Sequence, residues 1–339
     1  MKTRFAFIGF QHPHIWDLVA RAAAHPDIEI VAMCEEDAAL REKLAGDKRV
    51  NLTHTDYRDM LAKVPCDAVV VGDWFVKRGR IVIDCLKAGR HVLADKPMCT
   101  SLAEYDEIVQ LATTRKLTVG LMLDMRDSGV FIKVRELVRA GEIGEIRAVG
   151  LGGQHPLFTG KRAGWYHEAG KHGGTISDIA VHGFDIIPWV TGQEIRRVNA
   201  ARVWAAGVPA GSHFANAGQC MLELANGAGV ICDVSYFSPD SHAYTLPLYW
   251  RLTLWGSRGV LETSLTAKEI MLYKDGETAG RTVPIAAPNP GGYLTAFLDE
   301  MHGRAGSGLT MAEAFRASRA TLVAQQAADE GRSNIELLP

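Results

Sequence analysis

An α/β domain on a parallel sheet, followed by a sheet-rich α+β domain, is the fold class this sequence predicts. Three observations carry it. Over roughly the first 120 residues, short apolar runs alternate with segments of helical spacing. After about residue 122, extended alternating segments follow one another with few helices between them, which points to a largely antiparallel sheet. At 339 residues the chain is long enough for two domains.

The strands of the first domain are expected at 4–8, 28–34, 68–71, 91–94 and 117–121. They are short and rich in Val and Ile, as strands buried on both faces are. Helical spacing falls at 15–24, 37–44, 78–88 and 102–114. Gly89 stands where a helix C-cap glycine belongs. Ser101 with Glu104 three residues on has the form of a capping box. In the second half a helix is expected at 128–140, ending at Gly141. Strands are expected at 195–205, 219–224, 230–237 and 249–255, with one helical stretch at 176–190. Helical patterns at 293–301 and 311–328 close the chain, and 284–292 reads as a loop.

Composition narrows the function. Apolar residues make up 47% and charged residues 22%, which excludes a mainly disordered chain. The formal net charge is −2, so no global field draws nucleic acid or an anionic membrane. No apolar run is long enough to span a bilayer, and the apolar run before Gln11 is too short for a signal peptide. The six cysteines form no C-x-x-C pair. The expectation is a cytoplasmic protein with reduced thiols, no nucleic-acid or membrane partner and no metal.

Strand one ends at Gly9, where a dinucleotide-binding turn would read G-x-G-x-x-G. Here the frame reads Gly9-Phe10-Gln11-His12-Pro13-His14, and only the first glycine is present. Glu35 follows strand two, 26 residues after Gly9, where an acid binds the ribose hydroxyls and disfavours a 2′-phosphate. Asp95-Lys96-Pro97 follows another strand, at the sheet edge where ligands of open α/β sheets bind. Asp178 and His182 stand four apart, on one face if the segment is α-helical. A histidine oriented by a carboxylate is a general base; the pair also has the makings of two metal ligands, short of a site. His155, His167 and His172 flank the 154–174 loop with Lys161, Arg162, Trp165 and Tyr166, a set suited to a polar, hydroxylated ligand.

The order of these segments resembles the Gfo/Idh/MocA oxidoreductase family. The resemblance rests on the Gly9 turn, Glu35, Asp67-Ala68-Val69-Val70-Val71, the run Leu86 to Pro97, Gly141-Glu142-Ile143-Gly144-Glu145-Ile146, and Gly173-Gly174 through His182. It implies an N-terminal Rossmann domain over 1–122. Residues 123–339 would then carry substrate and oligomerisation surfaces on a large, mainly antiparallel open sheet, with the last helices packing back on the first domain. It also implies NAD, with NADP as the alternative, and oxidation of a hydroxyl on a sugar, polyol, cyclitol or derivative. Lys96, Asp178 and His182 match the family's catalytic residues. The cofactor set it implies is Gly9, Phe10, Gln11, His12, His14, Glu35, Asp73, Trp74, Arg78, Asp95, Lys96 and Pro97. The substrate set adds Arg126, His155, Trp165 and Tyr166. A homodimer or homotetramer through the sheet is implied as well.

The chain departs from the family pattern at four places. Gln11 and His14 replace two turn glycines, Asp95 replaces a glutamate, and the family's A-T-P-N-x-x-H segment reads Gly72-Asp73-Trp74-Phe75-Val76-Lys77-Arg78, which loses the Thr-Pro-Asn and puts Arg78 at the histidine position. Two alternatives stay open: a redox-cycling hydrolase, lyase or epimerase with tightly bound NAD, and a non-catalytic ligand sensor.

Overall fold

The structure, a computed structural model, describes residues 2–337. The chain divides into two compact units. The first holds the residues up to 122 together with 170–172 and 293–315, and the second holds the rest.

The first unit runs β1 (Thr3–Ile8), α1 (Ile15–Ala24), β2 (Ile28–Cys34), α2 (Ala38–Leu44), α3 (Tyr57–Lys63), β3 (Ala68–Val71), α4 (Phe75–Lys87), β4 (His91–Ala94), α5 (Leu102–Arg115) and β5 (Val119–Leu121). The five strands lie in the order β2-β1-β3-β4-β5, and every pairing is parallel. Strand order reverses between β1 and β3. At such a switch point the two following connections diverge and leave a crevice beyond the strand ends. All four residues of β3 are buried, as a central strand covered by helices on both faces requires. Phe5, Phe7, Val70 and Leu93 pack with Ile15 and Leu18 of α1 and with Tyr293, Leu294, Phe297 and Leu298 in one core.

The second unit contains α6 (Gly129–Arg139), β6 (Ile146–Pro156), α7 (Val181–Thr191), β7 (Ile195–Trp204), β8 (Ala217–Leu224), β9 (Gly229–Ser238), β10 (Arg251–Gly256), β11 (Gly259–Thr263), β12 (Glu269–Lys274) and β13 (Arg281–Pro284). Helix α8 (Gly292–Met301), which belongs to the first unit from Tyr293 on, and helix α9 (Met311–Glu330) precede β14 (Ser333–Glu336), a strand that the sequence reading, which closed the chain on helices, did not expect. The nine strands of the second unit lie in the order β13-β12-β11-β10-β6-β9-β8-β7-β14. All pairings are antiparallel except β6 with β9. The sheet is open, with β13 and β14 at its edges. No helix among the described residues is long and apolar enough to cross a membrane.

The structure corrects four sequence expectations. Helix α4 begins at Phe75, three residues before the expected start, so Arg78 lies a turn inside it. The expected helix at 176–190 opens as a π-turn over Ile176–Ala180 and becomes α-helical only from Val181. The simple i, i+4 geometry assumed for Asp178 and His182 therefore does not hold. A π-turn bonds i to i+5 and rotates the side chains ahead of α7. Helix α3 was not expected: it is seven residues long, too short for a periodic signal, and is fixed by Asp56, whose carboxylate accepts from the Arg58 and Asp59 N–H groups. Strand β5 starts at Val119 rather than 117, because Leu117 is still tied to α5 through its bond to the Ala112 carbonyl.

Candidate functional site

In the first unit the site residues gather at the ends of β1, β3 and β4. Gly9 has φ +79°, and a Cβ there would stand 2.6 Å from the Asp73 Cβ. The turn therefore requires glycine for its backbone angle and for its close approach to the β3 end. The third glycine of the usual fingerprint serves close helix–strand packing. Here Gly72 takes that part, since a Cβ at Gly72 would meet the Ile15 side chain of α1 at 2.6 Å. The sequence reading missed this compensation. Its signal was the Gly72-Asp73 pair directly after strand β3. A dinucleotide-binding turn thus fits this chain even with Gln11 and His14 in place of two glycines.

Glu35 is 1% exposed and holds the same turn. Its Oε2 accepts the Phe10 N–H at 2.7 Å and its Oε1 accepts the Asp37 N–H at 2.8 Å. Burial raises its pKa against these two hydrogen bonds. Asp73 accepts the Trp74 N–H at 2.8 Å and the Lys77 Nζ at 2.7 Å. Lys77 also reaches Glu36 at 2.9 Å. Two ammonium groups lie over the Trp74 ring, Lys77 at 4.8 Å and Lys171 at 4.6 Å from its centroid. His172 sets its ring 5.1 Å from that of Phe75.

Asp95 is the hub of a buried network. It has no exposed surface, and its Oδ2 accepts from Arg78 Nη2 at 2.7 Å and from His12 Nδ1 at 2.6 Å. Its Oδ1 accepts from His14 Nδ1 at 3.0 Å. Burial pushes the Asp95 carboxyl up, but Arg78 and the two histidines outweigh it and hold it well below the usual carboxylate range. Burial pushes His12 down to about 3 against the pull of Asp95. An ionised carboxylate only accepts, so the proton of each ring sits on Nδ1. Arg78 spends the rest of its guanidinium on carbonyls: Nε on Asp73 at 2.6 Å, Nη1 on Lys96 at 2.6 Å and on Pro97 at 3.2 Å. Lys96 itself is 3% exposed, and its peptide bond to Pro97 is cis.

His12, His14 and Asp95 also form a trio of potential metal ligands, their donor atoms within 4.8 Å of one another. Each Nδ1 faces its own Asp95 oxygen at hydrogen-bond distance, and the Arg78 cation touches the same carboxylate. That arrangement satisfies the three groups with protons, and the guanidinium opposes a second cation.

The second unit carries its own cluster. Asp178 is 1% exposed on the π-turn and His182 is 5% exposed on α7. The Tyr236 hydroxyl of β9 donates to Asp178 Oδ2. Burial, with Asp178 beside it, pushes the Tyr236 phenol well up, so it stays a donor. The His182 ring meets Trp250 edge-on with centroids 5.3 Å apart. His155 sits among Tyr236, Tyr249 and Trp250 at 5.7, 5.2 and 5.4 Å. Trp165 and Tyr166 stack at 4.1 Å. Arg162 lies over Tyr166 and Tyr236 while donating to the carbonyls of Leu157 and Pro156. Arg126 forms a bidentate pair with Asp185, Nε to Oδ2 at 2.8 Å and Nη2 to Oδ1 at 2.5 Å. The sequence reading missed Tyr236 and Trp250. Tyr236 had a signal, a phenol on the inward face Val230, Cys232, Val234, Tyr236, Ser238 of an alternating strand.

Residues 3–122 match the family described as the oxidoreductase family with NAD-binding Rossmann fold, and residues 131–262 match the GFO/IDH/MocA C-terminal domain. The chain is a member of the Gfo/Idh/MocA oxidoreductase family. Residues 3–122, the larger part of the first unit, are the NAD-binding Rossmann domain of that family. Among curated relatives, inositol 2-dehydrogenase 1 of Saccharopolyspora erythraea is 27% identical over 67% of this chain and 63% of its own length. Other curated relatives are matched over 46% and 50% of their own length, so the chain spans about half to two thirds of the relatives it matches. Solved structures share the fold over the whole chain. Levoglucosan dehydrogenase in complex with NADH superposes with a TM-score of 0.81 at 15% identity, covering 100% of both chains. The WlbA dehydrogenase from Bordetella pertussis, in complex with NADH and UDP-GlcNAcA, gives 0.79 at 20% identity, covering 100% of this chain and 99% of that one.

Proposed function

We propose that this chain is an NAD-dependent dehydrogenase acting on a hydroxyl of a small ring compound: a sugar, polyol, cyclitol or derivative. The observation that carries the reading is the buried Asp178, held by the Tyr236 hydroxyl, just ahead of His182 on α7. His182 takes the hydroxyl proton, and Asp178 orients the base and stabilises the charge it gains. Lys96 donates to the hydroxyl oxygen. Bound NAD supplies the hydride acceptor. Trp250, Tyr249, Trp165 and Tyr166, with His155, offer flat apolar faces suited to the C–H face of a ring, and polar edges suited to its hydroxyls.

On the cofactor side, the 9–14 turn receives the pyrophosphate, with Gly9, Phe10 and Gln11 giving backbone and His12 and His14 giving ring edges. Glu35 holds that turn and, with Glu36 beside it, sets a negative field that favours NAD over NADP. Asp73, Trp74 and Pro97 stand at the nicotinamide half of the crevice. Asp95 acts through the histidines it holds. The names of relatives are consistent with this substrate class: inositol 2-dehydrogenase and 1,5-anhydro-D-fructose reductase. All six cysteines are free and buried, which suits a reducing, cytoplasmic setting.

Oligomerisation through the open sheet belongs to the same reading. Met221, Ile231, Trp255 and Tyr273 are exposed on strands β8, β9, β10 and β12, and Met221 pairs directly with Ile231. A row of exposed apolar residues on a sheet suits a second copy of the chain.

The test is a screen for net NADH formation from NAD with myo-inositol, other cyclitols and common sugars, run beside the Lys96→Met and His182→Ala variants. Turnover with at least one compound, lost in both variants, is expected. Turnover that survives in either variant removes that residue from the reaction. Retained NAD with no net NADH from any compound overturns the dehydrogenase reading in favour of redox cycling.

A further inference from the structure

We propose that Arg78 is a positioning residue for Lys96, fixing the backbone on both sides of the Lys96–Pro97 bond so that the lysine ammonium is presented in one place. The proposal rests on the reading above only in taking Lys96 to be the group that meets the substrate.

Arg78 is the largest fully buried side chain among the described residues. Its three nitrogens reach two segments at once: Nε the Asp73 carbonyl after β3, and after β4 Nη1 the carbonyls of Lys96 and Pro97 and Nη2 the Asp95 carboxylate. The plane of the guanidinium rests on the Phe75 ring, 4.7 Å from its centroid. Thus one planar fork ties the ends of two neighbouring parallel strands to the residue whose side chain is in question. A lysine at 78 would keep a cation for Asp95 but could not hold a fork of carbonyls, because its donors radiate from one atom on a flexible stem. Nothing in this arrangement leaves Arg78 free to touch a cofactor. It acts through the backbone it holds.

Asp95 has two parts in the device. It is the anion that makes burial of the guanidinium tolerable, and it carries His12 and His14 on its other lone pairs. The same carboxylate therefore links the cofactor turn to the lysine.

The test needs neither cofactor nor substrate. Lysines of the whole protein are labelled competitively with trace acetic anhydride, and the rate at each is read by mass spectrometry. In Arg78→Lys, Lys96 is expected to label about tenfold faster than in wild type, the change that about 1.4 kcal/mol of lost restraint produces. Lys63 and Lys116, on the surface away from this network, should keep their rates. The double variant Arg78→Met/Asp95→Asn removes both buried charges together, which is far less costly to folding than removing one. It should show the same selective rise. An unchanged Lys96 rate in either folded variant overturns the proposal. So does a rise shared by all lysines, or failure of both variants to fold, since Arg78 would then support the domain rather than Lys96. NADH binding measured on the same samples keeps the two claims apart: its absence in wild type counts against the dehydrogenase, whereas the labelling decides on Arg78.

Discussion

Arg78 Nη2 stands 2.7 Å from Asp95 Oδ2, and neither side chain has any exposed surface. A buried pair of this kind is costly to break from one side. Removing the cation leaves an ionised carboxylate that water cannot reach.

Arg78→Ala is therefore expected to destabilise the protein by about 3–5 kcal/mol, whereas Arg78→Lys should cost clearly less. Urea unfolding of the three proteins measures the difference. Equal loss in both variants would mean that the charge contributes nothing and packing everything.

His12 gives the protein an acid limb. Its folded pKa, about 3, lies below the value near 6.5 of an unfolded chain. Between these values the unfolded state binds the extra proton, so stability rises with pH and is lost as pH falls through this window. The slope approaches about 1.4 kcal/mol per pH unit. Asp95, held low, adds its own loss only below about pH 4. His12→Asn offers Asp95 a donor that does not titrate. Its urea midpoint should change less than that of wild type between about pH 4 and about pH 6.5. Parallel curves would contradict the account.

Tyr236→Phe removes the donor from a carboxylate that is 1% exposed. A loss of about 1.5–3 kcal/mol is expected, the range for a hydrogen bond to a charged group. The pH profile of turnover should also move, because Asp178 orients His182 in the proposed chemistry. A variant with wild-type stability would place the Tyr236 hydroxyl outside the site.

Glu35→Ala frees the Phe10 and Asp37 N–H groups and loosens the cofactor turn. NADH affinity should fall by about tenfold, with a smaller loss in Glu35→Gln, which keeps one acceptor oxygen. Isothermal titration calorimetry reads both. Unchanged affinity in Glu35→Ala would mean the turn holds its shape without the carboxylate.

Much of this was legible in the sequence, and the misses share a cause. The alternation that marks β1 to β5 survives intact because parallel central strands are apolar on both faces, as β3 is. Asp95-Lys96-Pro97 was visible as a strand-end motif. Asp178 and His182 were visible as a spaced pair, although their spacing was read as plain α-helix and a π-turn lies under it. Arg78 was expected at the cofactor. That expectation came from the resemblance, which puts Arg78 at a histidine position, and the helix was expected to begin at 78. With α4 starting at Phe75, it falls a turn further in and faces the strand ends. Its partners lie 5 to 19 residues away in sequence, and Tyr236 lies 58 residues from Asp178. Periodicity reports which face is buried. It does not report which buried polar groups meet there.

A fluorescence titration of the purified protein with NADH, and then with NADPH, puts the NAD-dependent reading to the test. Saturable NADH binding that quenches tryptophan emission, and that is tighter than NADPH binding, is the predicted result. Trp74, which Lys77 and Lys171 both contact, is the expected reporter. No saturable binding of either nucleotide, in protein shown to carry none already, would contradict it. Gln11 and His14 would then have closed the turn that Gly9 and Gly72 keep open.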